Sequence, residues 1–297
     1  MGDNVTPEHA MALHLAAIRE LFEEAGVLLA DGRVGDERLA EARRRLLGGD
    51  GLADAIDGVD LRLRTDLLVP LAHWTTPRFM PRRFSTWFFA ADLPAGAEAT
   101  FEGDEVIAHR WVSPQLALDQ MADGQIEMWI PTSSTLQRLI QTEARTATEL
   151  VQRVTLGPTP PARIVAEEAA QVRFAFGAVG GLPGRTGETM LIGRRDLVLA
   201  DPGDPSDEAI DLIVATVARR NGAIKAIVLT SADPDHAAAA QALAIALEVP
   251  VLVAPGAGRY LPYETRDVAD GERLPGDVAV HVRLGPGPGR LEIVADT

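Results

Sequence analysis

Cysteine is absent from the 297-residue chain, which removes disulfides, thiolate metal sites and a cysteine nucleophile together. Any bound metal must therefore take oxygen and nitrogen ligands. Long apolar runs are missing too: none approaches the ~18 residues that would suggest a spanning helix, so no membrane partner is expected. The opening "MGDNVTPEHAMALH" has neither the basic start nor the apolar centre of a signal peptide, and a cytoplasmic location is expected. Positive charge is scarce, with 28 Lys and Arg against 43 Asp and Glu and a formal net charge of -15. That balance argues against a broad electrostatic grip on nucleic acid, which depends on cations neutralising phosphates. An anionic substrate would need a bridging cation. No internal repeat at fixed period is present, and the Gly-rich "VGGLPGRTG" is not followed by the helix with Lys-Ser or Lys-Thr that a phosphate loop requires.

What is present has the profile of a soluble globular protein, 46% hydrophobic and 24% charged. The length suits one large domain or two, at ~100 to 200 residues per domain. Thr6-Pro7-Glu8 reads as an N-cap with proline at the first helical position, and Leu13, Ala16, Ala17, Leu21 and Phe22 keep helical spacing up to Gly26. "GDERLAEARRRLLGG" predicts a second helix with a solvated, mixed-charge face. From residue 66 the runs "DLLVPLAHW", "FSTWFFAADL" and "DEVIAHRWV" predict strands. "SPQLALDQMADG" predicts a short capped helix, and "PTSSTLQRLIQTEARTATELVQRV" one long amphipathic helix before the Pro-rich break "TLGPTPPARI". The second half alternates apolar strands with helices: "DLVLADPGD", "SDEAIDLIVATVARR", "AIKAIVLT", "AAAAQALAIALE" and "VPVLVAP". This pattern predicts a layered α/β arrangement with buried strands.

Two constellations carry chemistry. Glu20, Glu23 and Glu24 stand at i, i+3 and i+4, which gathers three carboxylates on one helix face. Ordinary solvated glutamates are the plain alternative, but two costs count against it. Glu20 and Glu24 repel at about 0.2 to 0.5 kcal/mol, and Glu23 and Glu24 face the negative end of the helix dipole at roughly 0.3 to 1 kcal/mol each. A cation would reverse the sign, and oxygen ligands suit Mg²⁺ or Mn²⁺.

The segment Arg19-Glu20-Leu21-Phe22-Glu23-Glu24-Ala25-Gly26-Val27 resembles the second half of the Nudix box, Arg-Glu-apolar-x-Glu-Glu-x-Gly-apolar. The likeness extends through "WTTPRFMPRRFSTWFFAADLP", "EVIAHRWVSPQLAL" and "IPTSSTLQRL" to the larger Nudix hydrolases that include coenzyme A diphosphatases, over roughly residues 11 to 155. It implies cation-dependent hydrolysis of a diphosphate. Glu23 and Glu24 would hold the metal, Glu20 would be ligand or general base, and Arg19 would orient a carboxylate; Glu102 or Glu105 would supply a further carboxylate, unless each is a turn or edge-strand charge. Val5 and Met11 stand where the family box has Gly and Glu, and the strands that normally precede the box are not in the chain. The sheet is therefore expected to lack its front, through either a misassigned Met1 or a degenerate domain.

The second constellation is "LADPGD" followed about thirty residues later by "IVLTSADPDHAAAAQAL". It resembles the opening of the metallo-β-lactamase fold, in which Thr-His-x-His-x-Asp-His helps to build a dinuclear zinc site. Ser231 and Asp233 replace the two leading histidines, leaving Asp235 and His236, and "LGPGPGRLEIVADT" offers no histidine where the family places one. A hydroxyl is a poor zinc ligand. Zinc is therefore not expected, and Asp201, Asp233, Asp235 and His236 are read as a degenerate site, with Asp201, Asp235 and His236 a structural polar cluster. His9, His14, His73 and His109, the last in a predicted strand, are read as structural, and His281, the histidine nearest to "LGPGPGRLEIVADT", is expected on a strand.

The expected architecture is α/β: an α+β Nudix-like domain over residues 1–156, then a shortened αββα metallo-β-lactamase-like domain over 157–297. The leading functional expectation is Mg²⁺- or Mn²⁺-dependent hydrolysis of a nucleoside- or coenzyme A-linked diphosphate, a small-molecule partner. The first alternative is a catalytically inactive binding or regulatory protein in which both sites have decayed; the second is a hydrolase acting through the metallo-β-lactamase-like domain. Substrate, cation preference and oligomeric state are not assigned by the sequence.

Overall fold

The computed structural model describes residues 5–32, 35–76, 78, 82–101, 109–154, 159–181 and 184–295. The first helix, α1 (Pro7–Ala25), begins where Thr6 Oγ1 accepts from the His9 N–H at 3.2 Å and ends where Gly26 turns left-handed at φ 66°. Ile18 and Phe22 form its buried stripe. After β1 (Ala30–Gly32) comes α2 (Asp36–Leu47), which buries Ala42, Leu46 and, unexpectedly for a solvated face, Arg43. Arg43 is only 4% exposed because it caps another helix. Its Nε and Nη2 donate to the Glu23 carbonyl at 3.2 and 2.9 Å, Nη2 also to the Glu24 carbonyl at 3.1 Å, and Nη1 to Thr100 Oγ1 at 3.0 Å. A guanidinium thus meets the negative end of α1.

The chain continues through α3 (Leu52–Ala55), β2 (Leu61–Leu63), β3 (Val69–Thr75) and β4 (Ser85–Ala90). Among the described residues these strands make two separate antiparallel pairs, β1 with β2 and β3 with β4, and no larger sheet. Part of "DEVIAHRWV" lies outside the described residues. Its tail, residues 109–112, carries no regular structure, so the strand expected there, His109 included, is corrected. Trp111 is 76% exposed, and apolar composition without a ladder partner does not make a strand.

Next come α4 (Pro114–Ala122), α5 (Ile130–Thr142) and α6 (Ala147–Arg153). The single long helix expected over this stretch is two helices. Glu143 at φ 53° ends α5, and Thr146 Oγ1 caps α6 by accepting from the Glu149 N–H. The periodic apolar pattern resumes after the break, which is why periodicity alone did not reveal it.

Residues from 163 onward build one seven-stranded sheet: β5 (Arg163–Glu167), β6 (Gln171–Phe176), β7 (Gly187–Ile192), β8 (Asp196–Ala200), β9 (Ala223–Val228), β10 (Val251–Val253) and β11 (Arg266–Asp267), in the order β11-β10-β9-β8-β7-β6-β5. β5 to β8 form an antiparallel meander, and β8 to β11 run parallel. The parallel strands are joined by α7 (Asp207–Arg219), then by α8 (Pro234–Ala237) with α9 (Ala240–Leu247). Leu197 to Ala200 of β8, the central strand where the antiparallel and parallel parts meet, are all buried. The hairpin of β12 (Val280–Leu284) and β13 (Leu291–Ala295) adds Val280, Val282 and Leu291 to the same core.

Replacing Arg43 by alanine should lower the unfolding free energy by roughly 2 to 4 kcal/mol, because a buried guanidinium and its several charge-assisted bonds to the end of α1 are lost. Urea unfolding checks this; an Arg43→Ala loss below about 0.5 kcal/mol, the level of a surface substitution, would remove the capping role.

Candidate functional site

The two apolar strands β8 and β9 end side by side, and their C-terminal ends carry the polar loop expected from "LADPGD" and "SADPDH". In an open α/β sheet this is where ligands bind. Asp201 adopts φ 52°, which turns its carboxylate toward the end of β9. Its Oδ1 accepts from the Thr230 N–H at 2.7 Å and Oδ2 from Thr230 Oγ1 at 2.5 Å. His236 Nδ1 lies 3.1 Å from both Asp201 Oδ2 and Thr230 Oγ1. The Asp201 carboxylate beside it raises the imidazole above its ordinary value of 6.5, against the opposing effect of burial.

Asp235 belongs to a different set of contacts. Its Oδ1 pairs with Arg138 Nη2 of α5, and its Oδ2 accepts from Arg185 Nε at 2.7 Å and also from Arg185 Nη2. Arg138 is 5% exposed; burial pushes its guanidinium downward, and Asp235 opposes that shift. Arg138 Nη1 donates to Gln141 Oε1 at 3.0 Å. Gly180 makes the approach possible: a Cβ there would lie 2.6 Å from Arg138 Nη2 and 2.8 Å from Asp235 Oδ1. Gly203 does the same for the backbone, since its Cβ would meet the Asp235 carbonyl at 1.7 Å. Asp233 Oδ2 accepts from Arg290 Nη2 at 2.8 Å, and the Ser231 hydroxyl accepts from the Asp233 N–H at 3.1 Å.

The four residues expected at the degenerate site therefore sit on one loop system, divided into three pairings. Asp201 and His236 meet at Thr230, Asp235 lies between two arginines, and Asp233 holds a third. Among the described residues no three His, Cys, Asp or Glu side chains form a ligand group. A divalent metal does not fit the donors that are present. Both Asp235 oxygens and one of Asp233 already face guanidinium groups, His236 Nδ1 is engaged, and three arginines would stand beside the dication.

At α1, Arg19 pairs with two of the three glutamates. Its Nη1 donates to Glu23 Oε1 and Oε2 at 2.8 and 2.9 Å, and its Nη2 pairs with Glu20 Oε1. The Glu24 carbonyl faces Arg43. Glu102 and Glu105 lie outside the described residues. Of the other histidines, His73 stacks on Trp87 at 4.4 Å, His109 on Phe101 at 3.7 Å, and His14 meets Phe89 at 4.9 Å.

The arginines were missed by motif reading because they come from distant segments. One signal existed: Ser134, Arg138 and Gln141 form a polar line at helical spacing on α5, and Ser134 and Arg138 are buried.

Two outcomes follow from these contacts. Asp235→Asn leaves Arg138 buried without a counter-charge and should cost about 3 to 5 kcal/mol, with partial recovery in the double variant carrying Arg138→Met; strictly additive losses in urea unfolding would show that the pair is uncoupled. His236 should titrate above 6.5 by NMR and return toward that value in Asp201→Asn. Since its folded pKa is raised, the stabilisation it gives is complete below 6.5 and is lost as pH rises through the higher folded value.

Comparisons with known proteins bear on the second half of the chain. Its residues 182–295 match the family model for the Metallo-beta-lactamase superfamily. Solved structures similar to it include MEM-A1, a subclass B3 metallo-beta-lactamase from a soil metagenome library, at 19% identity and TM-score 0.35, covering 45% of this chain and 57% of that one. A metallo-beta-lactamase from Pontibacter korlensis matches at 13% identity and TM-score 0.37, covering 45% of this chain and 66% of that one. A flavo di-iron protein variant from Thermotoga maritima matches at 20% identity and TM-score 0.36, covering 46% of this chain and 40% of that one. The chain thus spans less than two thirds of the length of each of these three. The family match falls on the strands and loops that carry Asp201, Asp233, Asp235 and His236, and residues 182–295 form a metallo-beta-lactamase superfamily domain.

Proposed function

We propose that this chain works by binding rather than by metal-dependent turnover at its metallo-β-lactamase-fold domain. The family match by itself suggests a metal-dependent hydrolase, and that class is the starting point. The observation that turns the reading is the position of Asp235, the carboxylate retained from the metal-binding motif, between Arg138 and Arg185. Guanidinium groups supply the positive charge that a metal would otherwise provide, and they come from both halves of the chain. The division into residues 1–156 and 157–297 is part of this proposal, with Arg138 reaching from the first unit to the second.

Metal analysis of the purified protein tests it. Zinc, iron and manganese are each expected well below one equivalent per chain, with no metal-dependent cleavage of lactam or ester substrates. About one equivalent of metal, lost on Asp235→Ala, would overturn the reading.

A second reading keeps the first half as an enzyme, a Mg²⁺- or Mn²⁺-dependent hydrolase of diphosphate-linked nucleosides or coenzyme A. Its support is the Arg19 to Gly26 sequence pattern. Glu20, Glu23 and Glu24 would hold the cation once Arg19 had released both Glu20 and Glu23. Cation-dependent release from a diphosphate panel, abolished by Glu23→Gln, would favour this reading over the first.

A further inference from the structure

A second cavity, of about 310 Å³, opens between the β3–β4 hairpin, the start of α5 and helix α9. It lies where the two halves of the chain meet, the position in which small-molecule sites commonly form. Trp74, Phe84 and Trp129 contribute aromatic walls, and Ala242 lies on the α9 side. Among the described residues no charged side chain lines it; Thr86 and Gln241 are among its neutral hydrogen-bonding groups.

Two of these aromatic side chains stand largely outside the core. Phe84 is 61% exposed and Trp129 81% exposed, so neither is buried by the fold. Trp129 also occupies the N-cap of α5, where it makes no side-chain capping bond. At the corresponding position Thr6, Ser113, Thr146 and Ser206 each cap their helix with a hydroxyl, while Gly35, Gly51, Asp233 and Ala239, like Trp129, make no side-chain capping bond. An indole at a cap position therefore forgoes a stabilising bond and leaves a large apolar ring at a cavity mouth. Trp74 is held in the opposite manner. It is 6% exposed and packs on Gly181, where a Cβ would lie 2.6 Å from Cε2, so that wall is rigidly seated.

We propose that this cavity binds an uncharged planar aromatic group of one or two rings. Flat walls of indole and phenyl favour a ring over a flexible chain, because ring faces stack while an alkyl chain must give up its own torsional freedom. The uncharged lining disfavours an ionised group, which would be desolvated without a partner. This site deepens the binding reading above, and it does not depend on the charges around Asp235.

Equilibrium dialysis of the full chain with coumarin, a neutral two-ring probe, tests it, with octanol and 2-naphthoate as chain-like and anionic comparators. Saturable binding at one site per chain is expected, with octanol and 2-naphthoate at least about tenfold weaker. Ala242→Trp should fill the cavity and abolish binding, and Trp129→Ala should weaken it about tenfold. Both positions are partly or largely exposed, and circular dichroism should be unchanged in both variants. Absence of saturable binding, retention of full affinity in Ala242→Trp, or a preference for either comparator would overturn the proposal. If coumarin fails to bind while metal content stays low, the aromatic site falls and the non-metal reading stands; if coumarin binds and one equivalent of metal is found, the reverse holds.

Discussion

The contact on which the arrangement depends is the one between Arg138 and Asp235. A guanidinium that is 5% exposed needs a counter-charge, and the nearest is a carboxylate from a loop almost a hundred positions later in the chain. Helix α5, the α8 loop and the Gly180 turn must therefore come together as a unit. Glycine at 180 and 203 is a consequence: a Cβ at either position would occupy space already taken by this pairing or by the Asp235 backbone. The loop after β9, which lies within the residues of the family match, is thus also part of the junction with the first half of the chain.

The same device appears at the end of α1. Three glutamates near the negative end of a helix dipole are costly unless positive charge stands close by. Arg43, buried and directed at the Glu23 and Glu24 carbonyls, supplies that charge, while Arg19 ties down Glu20 and Glu23. In two places, then, carboxylates whose sequence context resembles a metal site are met by arginine. The planar fork of arginine reaches several oxygens at once, which suits it to this work better than a point charge.

Much of the second half could be read directly. The apolar runs of β8, β9 and β10, the Ser206 cap of α7 and the loop after β9 are local features, and each follows from period, cap and turn chemistry. The first helix was equally legible, from Thr6 to Gly26. What local pattern did not show was the break at Glu143, the lack of regular structure at 109–112, and the burial of Arg43 on a helix expected to present a solvated, mixed-charge face. The burial of Arg43 depends on partners far away in sequence, the Glu23 carbonyl and Thr100.

The sequence by itself determined where the acids and the retained imidazole lie, because motif spacing and element boundaries are short-range properties. By resemblance alone, Ser231 and Asp233 were expected to stand in the places of the motif's two leading histidines. Only the tertiary structure decided what those acids face. Arg138, Arg185 and Arg290 arrive from a helix, a turn and a hairpin that no spacing rule connects to Asp233 or Asp235. Charge pairing of this kind is set by packing in three dimensions, and it decides whether a carboxylate is free to hold a metal or already holds an arginine.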